Sequence, residues 1–237
     1  MPNSWCNVAQ IRREQIEQGI DITFNKVFKP YFIEIISKLS PNNILEIGSG
    51  TGHLSKELDS LGFDITAIEP SEKMYAISKE VLATSNVKLE LCSSFSFESD
   101  ISYSLALSHL VAHTVPDLSA FYNSAIKHLT KNGIFIFSIP HPCFYNEYKK
   151  IFHNEYKYMN CIHKKISFYI TNDTINEITD VPYYHRPLSM YINKLIQSGF
   201  TIEYFEEIYP NTNIQNLYKS EWNAPRYCLF ICKKVNS

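Results

Sequence analysis

Three glycines occupy alternate positions in "NNILEIGSGTGHL" (42–54), with Glu46 just before them and a second buried-looking acid, Glu69, in "ITAIEPS". Gly48, Gly50 and Gly52 follow the apolar run Ile44 to Ile47, where a strand hands over to a helix. Bare backbone at such a junction lets amides and carbonyls approach a ligand without a Cβ in the way. Two common phosphate ligands fit poorly. A dinucleotide turn would want a third glycine at 53, where His53 stands, and a P-loop would want a lysine and a spacing that are both missing.

The remaining common ligand of a strand, glycine turn and helix carries a nucleoside but no phosphate, as S-adenosylmethionine does. Its sulfonium is cationic, so a neighbouring lysine would repel it, while its ammonium group wants backbone carbonyls and a carboxylate such as Glu46. Glu69, at the end of the next strand, sits where an acid can accept from both ribose hydroxyls. Methyl transfer from such a ligand is an in-line displacement, and a protonated nucleophile needs a base. Histidine suits that work at neutral pH. "SHLVAHTVPD" supplies His109 and His113, and "SIPHPCFYN" supplies His141. His109 and His141, at the ends of neighbouring strands, are expected to face one crevice. Each histidine also has a plain structural reading, as a loop cap or a ring packed under the sheet, and that reading is stronger for His113. Tyr145, Tyr183, Tyr184 and His185 bracket a later aromatic segment and could wall a methyl acceptor or form a small core of their own.

The elements that must hold these groups read as βαβα. Residues 44–47, 64–69, 87–91, 104–108 and 133–139 are expected strands, and 54–61, 72–83 and 118–129 expected helices. Two helical patterns, 8–20 and 25–39, precede them. Residues 141–185 break the rhythm with Tyr, Phe, His, Asn and Lys, and alternation around "KKISFYI" predicts a short hairpin. The pattern resumes with a helix between Pro187 and Gly199, then strands at 201–205 and 226–232. About twenty residues separate those last two strands, too few for a parallel crossover, so the final strand should be antiparallel. The expectation is an α/β, Rossmann-like fold: a seven-stranded mostly parallel sheet, helices on both faces, and an inserted lid after strand five. It reads as a single domain over 1–237: covering helices 1–40, a cofactor-binding core 41–140, a substrate lid 141–186, and a closing helix and strands 187–237.

"ILEIGSGTGHLS", "ITAIEPSEKM" and "GIFIFSIPHPCF" together resemble a class I S-adenosylmethionine-dependent methyltransferase, of the small-molecule kind with a "methyltransferase 11" style core. The similarity runs over roughly residues 20–140 and extends to "YYHRPLSMYINKLIQSGF". It implies the strand order 3-2-1-4-5-7-6 and a cofactor lying across strands one, two and four. Carried over by position, it places Glu46, Gly48, Ser49 and Gly50 around the methionine part, Glu69 at the ribose, and Pro70 and Met74 beside the adenine. Ser93 and Ser94 stand where such enzymes often carry an Asp, so adenine recognition falls to hydroxyls, backbone and Phe95. Ser104 likewise replaces a usual Asp at the start of strand four, and Ser108 joins the cofactor-binding set. Trp5, Phe24, Asn25 and Tyr31 belong to helices that fold over the cofactor in similar enzymes.

Composition narrows the partners. A net charge of −2 offers no long-range attraction to nucleic acid or an anionic membrane, and 45% hydrophobic with 19% charged residues is ordinary for a soluble globular chain. No apolar stretch approaches the roughly 20 residues needed to span a bilayer, and no signal-peptide pattern opens the chain. A cytoplasmic protein is expected, its six cysteines read as free thiols. His141, Cys143, His153, Cys161 and His163 lack the paired spacings of a zinc site, so no metal is expected. The expected activity is methylation of an oxygen or nitrogen on a small molecule, with S-adenosylhomocysteine as the spent cofactor. The competing readings are a protein or tRNA acceptor, a non-catalytic cofactor binder, and a nicotinamide-dependent oxidoreductase.

Overall fold

Strands covered on both faces read as near-continuous apolar runs, as at 105–107 and 134–137. In the computed structural model, which describes residues 4–152, 156–218 and 220–235, these runs sit at the centre of a seven-stranded sheet. Its first five strands are β1 (Asn43–Ile47), β2 (Asp64–Ile68), β3 (Lys88–Glu90), β4 (Tyr103–His109) and β5 (Leu129–Pro140). A hairpin apart from that sheet follows, β6 (Ile162–Ile170) and β7 (Asp173–His185), and then β8 (Phe200–Ile208) and β9 (Tyr227–Lys234) complete it. The order is β3-β2-β1-β4-β5-β9-β8. β1 to β5 run parallel, and β9 is antiparallel to both β5 and β8. Seven strands in this order, with the chain's last strand antiparallel, are the expected Rossmann-like arrangement.

The period-2 alternation of strand side chains divides the core into two layers. Leu105, Leu107, Ile136 and Leu229 face one way, with α2 (Lys29–Leu39), α3 (His53–Ser60) and α4 (Glu72–Val81) packed over them. Ala106, Phe135, Phe137 and Phe230 face the other, under α5 (Leu118–Lys127) and α7 (Leu188–Gln197). Local chemistry starts the helices where the sheet needs them. Ser71 accepts from the Met74 amide at the head of α4, and Asp117 accepts from the Ala120 amide at the head of α5.

The amino-terminal stretch is α1 (Ala9–Glu17) followed by a π-helical turn, Thr23–Phe28, that runs directly into α2, so the second expected helix begins on a wider turn. The segment after β5 carries α6 (Tyr145–Lys149) and the β6–β7 hairpin, whose strands of 9 and 13 residues are much longer than the short hairpin expected. Two features hid its length from the sequence. Asp180 takes a positive φ of 56° inside β7, and Pro182 stands opposite Lys165, which a free edge of a two-stranded sheet tolerates. The far end of the hairpin meets α1, where the buried Gln15 amide donates to Asp173 at 2.9 Å. α1, the π-helical turn and the hairpin thereby roof the carboxyl ends of the strands. The strand order reverses between β1 and β4, the place where an open α/β sheet leaves a crevice. Among the described residues no helix is long and apolar enough to cross a membrane.

Candidate active site

A crevice of about 440 Å³ opens at that switch point, within the usual range for small-molecule sites. Its first wall is the turn after β1. Gly48, Gly50 and Gly52 all take positive φ, at 75°, 58° and 78°. A Cβ on Gly48 would come within 2.6 Å of Val111, and one on Gly52 would overlap the Ser78 hydroxyl, so both glycines permit close packing. Gly50 differs: a Cβ there would meet no atom within 4 Å. At this position the bare backbone borders open crevice.

The acids converge on the same turn. Glu69 lines the crevice and is 5% exposed; one of its oxygens accepts from the Gly50 amide at 2.9 Å and the other from the Ser71 amide at 2.8 Å. Those two bonds fix the carboxylate and leave each oxygen a further lone pair for a ligand donor. Burial raises its pKa, opposed by the two amides. Glu46 is 2% exposed, hydrogen-bonded by the Ser55 hydroxyl, and pushed up to about 7, chiefly by burial and further by the nearby charge of Glu69. Two desolvated carboxylates facing one crevice favour a cationic ligand. Arg12, the one arginine lining the crevice among the described residues, is paired with Asp21 and donates to Gln15 at 2.6 Å, so its charge is already matched. The Ser49 hydroxyl is buried in the same wall with no partner among the described residues. An orphaned hydroxyl, an open cradle at Gly50 and a buried acid pair suit a nucleoside that carries positive charge. Pro70, Met74, Ser93, Ser94 and the half-exposed Phe95 continue the wall past Glu69.

Ser108 does not belong to it. Its hydroxyl is fully buried between strands and donates to the Ile47 carbonyl at 3.0 Å, because an even position on β4 points into the sheet's layer instead of off its end.

The second wall stands over β4, β5 and β9. His109 and His113 both line the crevice, as do Tyr145, Tyr227, Phe24 and the hairpin residues Phe168 and Ile178. Phe24, Phe28 and Phe32 surround the His109 ring at centroid distances of 6.1, 4.4 and 5.3 Å. Burial drives both imidazoles down to about 3, so each is neutral at physiological pH. His113 packs on Tyr183 at 5.1 Å, and its Nδ1 is buried without a partner among the described residues.

Three expected residues lie elsewhere. His141 is 1% exposed and does not face the crevice with His109: its Nε2 meets Glu207 at 3.0 Å and its Nδ1 accepts from the Cys143 amide at 3.2 Å. The chain turns at Pro140, so the residue after it points toward β8. Tyr184 stacks on His163 at 4.1 Å and lies near Arg186, and His185 is bonded to the Tyr158 carbonyl at 2.9 Å inside the lid's own core. Of the tyrosines bracketing the lid, Tyr145 alone reaches the crevice, while Tyr183 packs behind it at 6.2 Å. His153, one of the residues weighed for zinc, lies outside the described residues. Among the described residues no three His, Cys, Asp or Glu side chains gather as metal ligands.

Sequence reasoning missed Arg12, Asp21, Tyr227, Phe168 and Ile178. The first two are nine apart with no helical or turn relation, so packing alone brings them together. Tyr227 had a usable signal: an antiparallel last strand places its first residue opposite Pro140, at the carboxyl edge of β5.

Residues 45–137 match a family model described as a methyltransferase domain. The chain is 43% identical over 67 residues to an uncharacterised methyltransferase of Bacillus cytotoxicus, a match covering 27% of this chain and 32% of that protein. The chain thus matches about a third of the length of that curated relative. A crystal structure of an S-adenosylmethionine-dependent methyltransferase from Clostridium acetobutylicum is similar over 99% of this chain and 100% of its own, with a TM-score of 0.68 and 14% identity. The 1,6-didemethyltoxoflavin-N1-methyltransferase of Burkholderia thailandensis, solved with 1,6-didemethyltoxoflavin and S-adenosylhomocysteine, is similar over 100% of this chain and 91% of its own, with a TM-score of 0.60 and 13% identity. At such identities the structural likeness is one of fold.

Proposed function

We propose, from the premise that residues 45–137 are a methyltransferase domain of the class I S-adenosylmethionine-dependent kind, that the chain transfers a methyl group from that cofactor to an oxygen or nitrogen of a small molecule. When bound, S-adenosylmethionine supplies a methyl group already activated by its sulfonium. Everything else asked of the protein is holding, orienting and drying. Glu46 and the carbonyls of the 48–50 turn would accept from the ammonium, Ser49 would bond the methionine part, and Glu69 would take the ribose hydroxyls. Pro70, Met74 and Phe95 would flank the adenine, with Ser93 and Ser94 offering hydroxyls in place of an acid.

The observation that carries this reading is Glu69, buried at the crevice wall and pinned by the Gly50 and Ser71 amides beside an open glycine cradle. The second wall supports a small acceptor. Phe24, Tyr145, Phe168, Ile178 and Tyr227 enclose it from five separate elements, which leaves room for a compact molecule and little for a polymer. The Burkholderia protein, an N1-methyltransferase solved with a small molecule beside S-adenosylhomocysteine, is in keeping with this. We read the chain as one domain acting in the cytoplasm, its amino-terminal helices and hairpin closing over both ligands.

Calorimetric titration of the full chain with S-adenosylhomocysteine and, separately, NADH tests the reading. S-adenosylhomocysteine should bind and NADH should not. Binding of NADH alone would replace this reading with a nicotinamide-dependent one.

A further inference from the structure

His109 hydrogen-bonds the sheet through one ring nitrogen only. Its Nδ1 lies 2.8 Å from the Ser138 hydroxyl, and its Nε2 has no hydrogen-bond partner among the described residues. Ser138 is completely buried on β5, and its Oγ also receives the Leu110 amide at 3.2 Å. Counting donors and acceptors decides where the imidazole proton resides. If Nδ1 carried it and donated to Ser138, the serine hydroxyl proton would be left without an acceptor among the described residues, inside a packed sheet. If Nδ1 accepts from Ser138, every group at that junction is matched, and the proton sits on Nε2. Nε2 is on the ring's opposite side, and His109 lines the crevice.

We infer that Ser138 is a positioning residue that locks His109 as a hydrogen-bond donor, and that His109 uses this donor to orient the methyl acceptor instead of taking a proton from it. The inference rests on the methyl-transfer reading above and deepens it. The acceptor molecule then carries an accepting atom, a carbonyl oxygen or a ring nitrogen, beside the atom that is methylated. It also brings a nucleophile that needs no base from this imidazole, such as a neutral amine or ring nitrogen with a free lone pair. In that displacement the nitrogen lone pair forms the new N–C bond, the C–S bond breaks with its electrons going to sulfur, and the product's extra proton leaves to water.

The surroundings agree. The rings of Phe24, Phe28 and Phe32 face His109 from the π-helical turn and α2 and offer no charge. Among the described residues, the groups with charge or a titratable proton near it are Asp21 and Arg12, paired with each other, His113 of the loop after β4, and the Tyr227 phenol, which packs on Phe28 from β9. Burial outweighs Asp21 and keeps the ring neutral.

The test is a long-range 1H–15N spectrum of the full chain with 15N-labelled histidine, recorded from pH 5.5 to 8 with and without S-adenosylhomocysteine. His109→Gln assigns the signal, and His109→Phe, which suits the surrounding phenylalanines, does so if the glutamine variant fails to fold. His109 should show a protonated Nε2 and a bare Nδ1 across the whole range. Ser138→Ala should lose that preference and show a mixture of tautomers, whereas Ser138→Thr, which keeps the hydroxyl, should retain it. A proton on Nδ1, or an imidazole titrating between pH 6 and 7, overturns the inference. Absence of S-adenosylhomocysteine binding overturns the cofactor reading instead, because the tautomer is also read without ligand.

Discussion

The wall over β1 and β2 is lined from two short runs, 46–54 and 68–74, with one added loop at 93–95. The wall over β4, β5 and β9 gathers single residues from the amino-terminal helices, the loop after β4, α6, the hairpin and the last strand. The first is polar, acidic and fixed by backbone hydrogen bonds to the sheet's own turns. The second is aromatic, neutral and held by side-chain packing. One half can therefore recognise a constant ligand while the other accommodates change, since a residue of the hairpin can be replaced without moving the glycine turn.

The largest effect that would sharpen this contrast is expected at Gly50. Gly50→Val places a branched side chain in the open cradle and should weaken S-adenosylhomocysteine binding by about a hundredfold, while the positive φ costs the fold about 1–2 kcal/mol. Calorimetry and thermal denaturation separate the two. Equal affinity in the variant would mean that the ligand does not approach this turn. Next comes Glu69→Gln, which keeps the shape but removes the charge. Because hydrogen bonds to a charged group contribute about 1.5–3 kcal/mol, affinity should fall by roughly ten- to a hundredfold.

A smaller, continuous effect should follow pH. Glu46 has a folded-state pKa of about 7 against an ordinary 4.5, raised by burial. The unfolded chain thus loses this proton at lower pH than the folded chain, and Glu46 makes the protein less stable as pH rises from 4.5 toward 7. Ligand binding should run the opposite way. An ammonium group favours the ionised acid, so S-adenosylhomocysteine affinity should rise about tenfold between about pH 6 and 8. Glu46→Gln should flatten that rise, and an unchanged slope would place the ammonium elsewhere. The smallest effect on binding is expected at His141. His141→Ala removes a buried ring bonded to Glu207 and should cost stability, on the order of 1–2 kcal/mol, with cofactor affinity unchanged. A large loss of affinity would join β8 to the crevice and erase the division between the two walls.

The same division explains what could be read from the sequence. The glycine turn, Glu46 and Glu69 were legible because adjacent residues perform one task, and their spacing is set by a strand, a turn and a helix. The strand order was legible because unbroken apolar runs signal strands covered on both faces. Ser108 and His141 were misplaced for a geometric reason: side chains alternate along a strand, and the chain turns sharply at its end, so a residue near a strand's carboxyl end need not face the crevice. Tyr184 points to the opposite side of β7 from Tyr183 and stacks on His163, while His185, on the same side as Tyr183, packs with it on Phe152 and is bonded to the Tyr158 carbonyl. Arg12 and Asp21 meet only after α1 and the π-helical turn have packed, and no local pattern announces a pairing that tertiary structure creates.

The buried bond between Gln15 and Asp173 bears on time as much as on shape. It joins two pieces of the roof, a helix near the start of the chain and the far end of the hairpin, that share no strand pairing. Such a latch can open and reclose without disturbing the sheet, and its opening frequency would set how quickly a spent cofactor escapes. Gln15→Ala should then speed the dissociation of S-adenosylhomocysteine, seen by stopped-flow fluorescence, and an unchanged off-rate would mean that this bond does not hold the roof closed.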